Sequence, residues 1–366
     1  MDHAEAVVRL RHTAGTGRRW PTAIDVFCGA GGLSLGLRQA RFRVAAAVDI
    51  LPLAVESYRM NFPRVPVILG DVRDPGTTCR LLRAAGLREG ELDLLAGCPP
   101  CQGFSAIRTR RRDAVHDERN RLVLDFLRLV REIRPRLVLM ENVPGLRRND
   151  LFQEFTDGIA ACGLQYDCGV LDTADFGTPQ HRRRLVLVAA RGERPNLAEG
   201  GVERRTVRDA IGGLARSAGG SGDALHHHGD GRASRVRAVI PPARWDGGSR
   251  ADLPDTEQLE CHRRAAPHGY GWGRHIYARM AWDGPAPTIT GGCINPSKGR
   301  FLHPEEHRAI TVREALLLQG FPARHRISLR RGKYAAAEMV GNAIPPEFVA
   351  AQARMLRGLS AAGVAA

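Results

Sequence analysis

The chain has 366 residues, 43% of them hydrophobic and 25% charged, the balance of an ordinary folded protein long enough for two domains. No apolar run reaches the ~18 residues of a membrane-crossing helix, and charges scattered through Met1 to Trp20 interrupt any signal-peptide core, so a cytoplasmic protein is expected. Eight dispersed cysteines suit a reducing compartment, and the formal charge of +15 favours a polyanionic partner such as nucleic acid, although all but two of the 54 basic residues are arginine, a skew that GC-rich coding also produces.

After an N-terminal extension (1–20), short apolar runs alternate with helical patterns from Thr22 to Ala190. The runs are Ala23–Phe27, Val44–Val48, Val67–Leu69, Leu92–Ala96, Leu137–Met140 and Leu185–Ala190, and they predict strands. Leu33–Ala40, Leu53–Met60 and Arg119–Ile133 predict helices, the last with Leu122, Phe126, Leu129 and Ile133 at helical spacing. Strand–helix alternation predicts a doubly wound, mostly parallel α/β sheet over 21–192, with ligands at the carboxyl ends of its strands. Residues 193–333 are rich in Gly, Arg, His and Pro and predict a smaller, loop-rich second domain. Within it Thr311-Val-Arg-Glu314 has the form of a capping box before Ala315–Gln319. Residues 334–366 are expected to return to the first domain, with a last helix from about Pro345 to Leu359.

Three strand ends carry ligand-type residues. Asp25-Val-Phe27-Cys-Gly29-Ala-Gly31-Gly32 lets the backbone approach a ligand closely, or is an ordinary tight turn into a helix. Asp49 follows about 20 residues on, where a carboxylate commonly accepts ribose hydroxyls, and Asp71 ends the third strand, where it could take the exocyclic amine of adenine. Helix capping is the alternative for each acid. Gly97-Cys-Pro-Pro-Cys101-Gln-Gly-Phe-Ser105 puts a thiol on a stiff lead beyond a strand, which suits a nucleophile. A structural thiol, or a redox or metal pair with Cys98, is the alternative. His226-His-His228 with Cys261-His262 fits no common zinc spacing, and no metal is expected.

These residues resemble the DNA cytosine-5 methyltransferases over about Asp25 to Val349. Phe27–Gly32 is similar to that family's S-adenosylmethionine loop and Gly97–Ser105 to its catalytic motif. Glu141-Asn142-Val143 resembles its acid motif and Gln180-His-Arg182-Arg-Arg184 its paired-arginine motif. His307–Pro322 and Gly341-Asn342-Ala-Ile-Pro-Pro-Glu-Phe-Val349 resemble its closing motifs. At Ala343 some members carry a serine, so only a backbone role is carried over there.

The resemblance implies an S-adenosylmethionine-dependent, Rossmann-like methyltransferase sheet with a target-recognition domain, acting without metal on cytosine C5 in duplex DNA. In it Cys101 adds to C6, Glu141 relieves charge at N3, Asn142 orients Glu141, and Arg182 and Arg184 stabilise thiolate and substrate charge. Phe27, Gly29, Gly31, Asp49, Ile50, Asp71, Val72, Pro100, Leu122, Asn342 and Ala343 are implied to line the cofactor, which leaves as S-adenosylhomocysteine. Gln102, Ser105, Arg110, Arg112, Gln180, Thr288 and Thr290 are implied to meet DNA. The expected protein is a prokaryotic, nucleoid-associated monomer, used for restriction-modification or epigenetic marking, with any cognate restriction endonuclease separate from it. A tRNA cytosine-5 methyltransferase is the nearest rival, but that branch's Cys-Phe-Thr signature is absent from the sequence. A silent DNA-binding regulator is the rival of another class. The segment Gln102 to Asp117, with Arg108-Thr-Arg110-Arg-Arg112, is expected to close on the DNA backbone. Neutralising Arg110 to Arg112 should therefore weaken DNA affinity and flatten its dependence on salt while sparing cofactor binding; an unchanged salt slope in a titration series refutes the assignment.

Overall fold

Runs of Val, Ile, Leu and Ala without polar alternation form strands that must be covered on both faces. In the computed structural model, which describes residues 20–100, 121–214, 222–227, 246–249, 254, 256 and 276–362, they do so in one sheet. Its strands are β1 (Thr22–Val26), β2 (Arg43–Asp49), β3 (Val67–Leu69), β4 (Leu94–Gly97), β5 (Leu137–Asn142), β6 (Leu164–Asp172) and β7 (Arg183–Arg191). They lie in the order β3-β2-β1-β4-β5-β7-β6. The first five are parallel; β7 runs antiparallel between β5 and β6. The expected α/β sheet is present, with β6 as an unforeseen edge strand. The order reverses between β1 and β4, which opens a crevice at their carboxyl ends.

Helices α1 (Gly32–Gln39), α2 (Pro52–Asn61), α3 (Thr77–Ala85), α4 (Leu122–Ile133) and α5 (Asp150–Ala161) connect the strands. The predicted start of α4 at Arg119 lies outside the described residues. Leu81 of α3, Phe126, Leu129 and Ile133 of α4, and Phe155 and Ile159 of α5 share one buried cluster with Ile24, Val26, Leu95 and Met140 of the sheet. The opposite face is covered by Leu33 and Leu37 of α1 and by Phe348, Val349, Ala353 and Leu356 of a C-terminal helix, Pro346–Ala362.

The described residues beyond β7 include helices α6 (Val207–Ile211), α7 (Val312–Leu318), α8 (Gly332–Asn342) and α9, the C-terminal helix already placed against the sheet. The capping box read in the sequence forms at α7, where Thr311 accepts from the Glu314 amide and Glu314 accepts from the Thr311 amide. The buried residues of α6, α7 and α8 share a second core with Met280, Trp282, Ile289 and Phe301, and Ala30, Leu53 and Ala54 of the first domain join it. The buried residues of α8 thus pack in this second core, and those of α9 against the sheet.

Helices α1 and α9 touch backbone to backbone. A Cβ on Gly36 would lie 2.5 Å from both the Pro346 carbonyl oxygen and Val349 Cβ. Glycine in a helix interior costs about 1 kcal/mol relative to alanine, so the close approach offsets a propensity loss. Gly36→Leu is expected to destabilise the protein by about 2 kcal/mol through overpacking. A lowered urea midpoint checks it; an unchanged midpoint would mean that the two helices can part freely.

Candidate active site

The crevice at the carboxyl ends of β1, β4 and β5 collects the chemistry-bearing residues. Asn142 ends β5, and its side-chain amide donates to the Pro99 carbonyl at 3.0 Å while its oxygen accepts the Val143 amide. Expected to orient Glu141, Asn142 instead pins the Pro99–Pro100 turn that leads to position 101. Gly97 is required beneath that turn, since a Cβ there would press on the Phe126 ring. Cys101 itself, with Gln102, Ser105, Arg110 and Arg112, lies outside the described residues. Cys98 lies near Glu141, Asp25 and Arg184; burial, then the Glu141 charge, pushes its thiol well above the ordinary range, so it stays protonated.

Antiparallel pairing of β7 with β5 places Val186 opposite Glu141 and Leu185 opposite Asn142. Arg184 therefore begins at the crevice, and its Nε meets Glu141 Oε1 at 2.7 Å, with only 14% and 10% of the two side chains exposed. Arg182 serves elsewhere. Its Nη1 and Nη2 donate to the carbonyls of Ile289 and Gly341 at 2.9 and 3.0 Å, and burial and the Arg184 charge push its guanidinium well below the usual range. The expected grip of two arginines on substrate becomes one arginine beside Glu141 and one buried brace.

Gln180 is a correction of the same kind. It was expected at DNA, yet it is fully buried. Its amide donates to Gln319 Oε1 at 2.6 Å and to the Leu318 carbonyl, and its oxygen accepts the Ile289 amide. Thr288 is partly exposed, but its hydroxyl is spent on the His181 carbonyl at 2.7 Å. Thr290 is also partly exposed, and Gly341 must lack a side chain because Thr290–Gly291 backbone packs against it. The Ala286–Thr290 strip is thus locked to the motif that precedes β7.

Most of the residues expected to line the cofactor gather at the ends of β1, β2 and β3. Phe27 (φ 64°), Gly29 (φ 49°) and Gly31 (φ 88°) are left-handed; for a phenylalanine this is a strained conformation of the kind found at ligand turns. Phe62 fills the space where a Gly31 side chain would be. Asp49 Oδ2 accepts the Gly29 amide at 2.9 Å and Oδ1 the Leu51 amide at 2.8 Å, fixing the turn; burial raises its pKa against those bonds. Ile50 beside it is 53% exposed and offers an apolar face. Asp71 is held by Arg73, which keeps its pKa low, and Val72 is buried beneath. Pro100 and Asn342 are exposed, and Leu122 and Ala343 partly so.

Under the turn the fully buried Asp25 accepts the Ser34 hydroxyl at 2.6 Å, and Ser34 in turn meets the Tyr58 hydroxyl at 2.6 Å. Asp25 Oδ1 has no hydrogen-bond partner, and burial pushes this carboxyl up to about 7. A carboxylate with free lone pairs, an exposed apolar face and an orphaned acidic oxygen fit a ligand with ribose hydroxyls, a flat ring and positive charge, as S-adenosylmethionine has.

Among the described residues His303, Glu306 and Glu314 form one cluster of metal-type donors within 4.8 Å of one another. Arg308 already supplies the cation there, at 2.6 Å from Glu306 and 2.8 Å from Glu314. Of the histidine and cysteine group weighed for zinc, His226 bonds the Thr311 hydroxyl, while His228, Cys261 and His262 lie outside the described residues.

The profile of the C-5 cytosine-specific DNA methylases matches residues 22–357. Type II methylase M.HgiDII of Herpetosiphon aurantiacus is 36% identical over 336 residues, covering 88% of this chain and 91% of the relative. Type II methyltransferase M1.HphI of Haemophilus parahaemolyticus is 33% identical, covering 89% and 83%. The methyltransferase EhMeth of Entamoeba histolytica superposes with a TM-score of 0.63 at 14% identity, over 94% of this chain and 99% of that one, which shows the shared fold. With an apposed acid and arginine at the head of the crevice and a family match over nearly its whole length, this chain belongs to the C-5 cytosine-specific DNA methylases.

Proposed function

We propose that the protein methylates C5 of a cytosine turned out of duplex DNA at a specific sequence, with Cys101 as nucleophile. Cytosine C5 is a weak nucleophile, and addition of the Cys101 thiolate to C6 makes it an enamine carbon. Negative charge then develops on the ring, and Glu141 meets it at N3. Arg184 holds that carboxyl in place and adds positive charge to the pocket. Asn142, through Pro99, fixes the lead to the thiol. When bound, S-adenosylmethionine supplies the methyl group on a sulfonium sulfur. Phe27, Asp49, Ile50 and Asp71 would hold its adenosyl part. Loss of the C5 proton and elimination of Cys101 free the product. None of this is possible while the base is stacked, so extrusion must come first, at a cost of a few kcal/mol.

What most supports this reading is the Glu141–Arg184 pair facing the braced Pro99–Pro100 turn. The family match over residues 22–357 and the type II DNA-modifying relatives that cover 88–89% of the chain favour a DNA substrate over tRNA and an enzyme over a silent binder. The same reading has the protein working as a cytoplasmic monomer at the nucleoid, with any paired restriction endonuclease a separate protein. The base that takes the C5 proton is left to water.

Duplex DNA carrying 5-fluorocytosine at the target should trap a covalent adduct with the wild-type protein and S-adenosylmethionine, because no proton can leave C5. Cys101→Ser should form none; an adduct in that variant, or methylation of tRNA in preference to duplex DNA, sinks the reading. Glu141→Gln should lower turnover about 10²–10⁴-fold with DNA and cofactor affinity nearly unchanged. Arg184→Ala should lower turnover as well and also destabilise the fold, by about 3 kcal/mol, because it strands a nearly buried carboxylate. Turnover within threefold of wild type in either variant argues against the pair's role.

A further inference from the structure

The turn from Cys28 to Gly32 is walled by residues that the proposed chemistry does not use. Gly32 has no room for a side chain because the Ile344 carbonyl and the Phe321 ring lie against it. Ala30 is buried in the core of the second domain. Its carbonyl accepts a 2.9 Å hydrogen bond from Nε2 of His325, a buried histidine 295 positions along the chain whose ring leans on Phe321 at 4.5 Å between centroids. Only an Nε2–H tautomer or the imidazolium can donate there.

His325 is in turn held from the second domain. Arg313 donates through Nη1 to the His325 carbonyl at 2.8 Å and through Nε to Asp223 at 2.5 Å. Asp223 caps the short helix Ala224–His226, and His226 bonds the Thr311 hydroxyl at the start of α7. The residues that follow His325 are stitched to α2: Asn61 exchanges two bonds with the Arg326 backbone, and Ser57 accepts the Ser328 amide. A path of hydrogen bonds therefore runs from Asp223 through Arg313 and His325 to the backbone of the cofactor turn.

We infer that His325 is a positioning residue for the cofactor turn, holding the Ala30 carbonyl so that cofactor affinity depends on the packing of the second domain. The inference rests on the methyltransferase reading above. It separates a donor bond from mere bulk: His325→Phe keeps a ring in the cavity and removes the donor, whereas His325→Gln keeps a donor of similar reach.

The test is calorimetric binding of S-adenosylhomocysteine to the full-length protein, with steady-state kinetics alongside. His325→Phe should weaken binding about tenfold and raise the KM for S-adenosylmethionine in step, while kcat at saturation and DNA affinity stay within twofold. His325→Gln should restore most of the loss. Equal binding by wild type and His325→Phe, equal losses in the Phe and Gln variants, or a fall in kcat without a change in KM each overturn the inference. Failure of the wild-type protein to bind S-adenosylhomocysteine overturns the methyltransferase reading along with it. If the Phe variant does not fold, the wild-type His325 Nε2 nitrogen resonance decides. It should show a bonded N–H and move when S-adenosylhomocysteine is added, and an unmoved signal overturns the inference.

Discussion

Glu141 and Arg184 come from segments more than forty positions apart, and what brings them together is strand direction. Each parallel strand carries only its carboxyl end to the crevice. A strand running the other way delivers its first residues there, so Arg184 arrives where β5 ends. With both side chains nearly excluded from water, neither charge is tolerable alone, and each fixes the other's rotamer. The site is consequently set by sheet register: a slip of one residue in β7 would send Arg184 to the opposite face.

The same motif closes the seam between the β7 edge of the sheet and the segments around Ile289 and Gly341. Gln180 and Gln319 spend their amides, and Arg182 its two Nη atoms, on backbone groups of Ile289, Leu318, Val340, Gly341 and Ala343, leaving Arg182 Nε without a partner. Amides and a guanidinium buried in this way cost several kcal/mol if unpaired, so the seam is specific as well as tight. Arg182 lies just before β7 and spends its Nη atoms on the Ile289 and Gly341 carbonyls, whereas Arg184, within the strand, meets Glu141. The Ala286–Thr290 strip is thereby registered against the start of β7, where Arg184 meets Glu141.

Much of this architecture could be read from the chain. The six apolar runs became strands because strands buried on both faces need uninterrupted Val, Ile, Leu and Ala. Strand β6 escaped because Gln165, Tyr166, Asp167 and Gly169 interrupt it, as suits a half-covered edge. Helix α8 escaped because alanines carry its packing and leave little contrast between faces. Glu141, Asp49 and the glycine turn were legible as strand-end residues. The role of Gln180 was not, because motif order cannot tell a side chain aimed at DNA from one buried under Gln319. His325 is a lone histidine after a Gly-Phe-Pro stop, and nothing local marks its bond to a carbonyl near the other end of the chain.

Beneath the cofactor turn the hydroxyl chain has a forced direction. Ser34 has one hydrogen, which goes to Asp25, so the Tyr58 hydroxyl must be the donor to Ser34. A proton taken up by Asp25 then settles on the vacant Oδ1, and no neighbour has to rotate. With that carboxyl poised at about 7, the floor can gain or lose a full charge near neutrality while its atoms stay still. Positive charge near this floor and a proton on Asp25 oppose each other, so a cation bound at the turn would favour the ionised carboxylate.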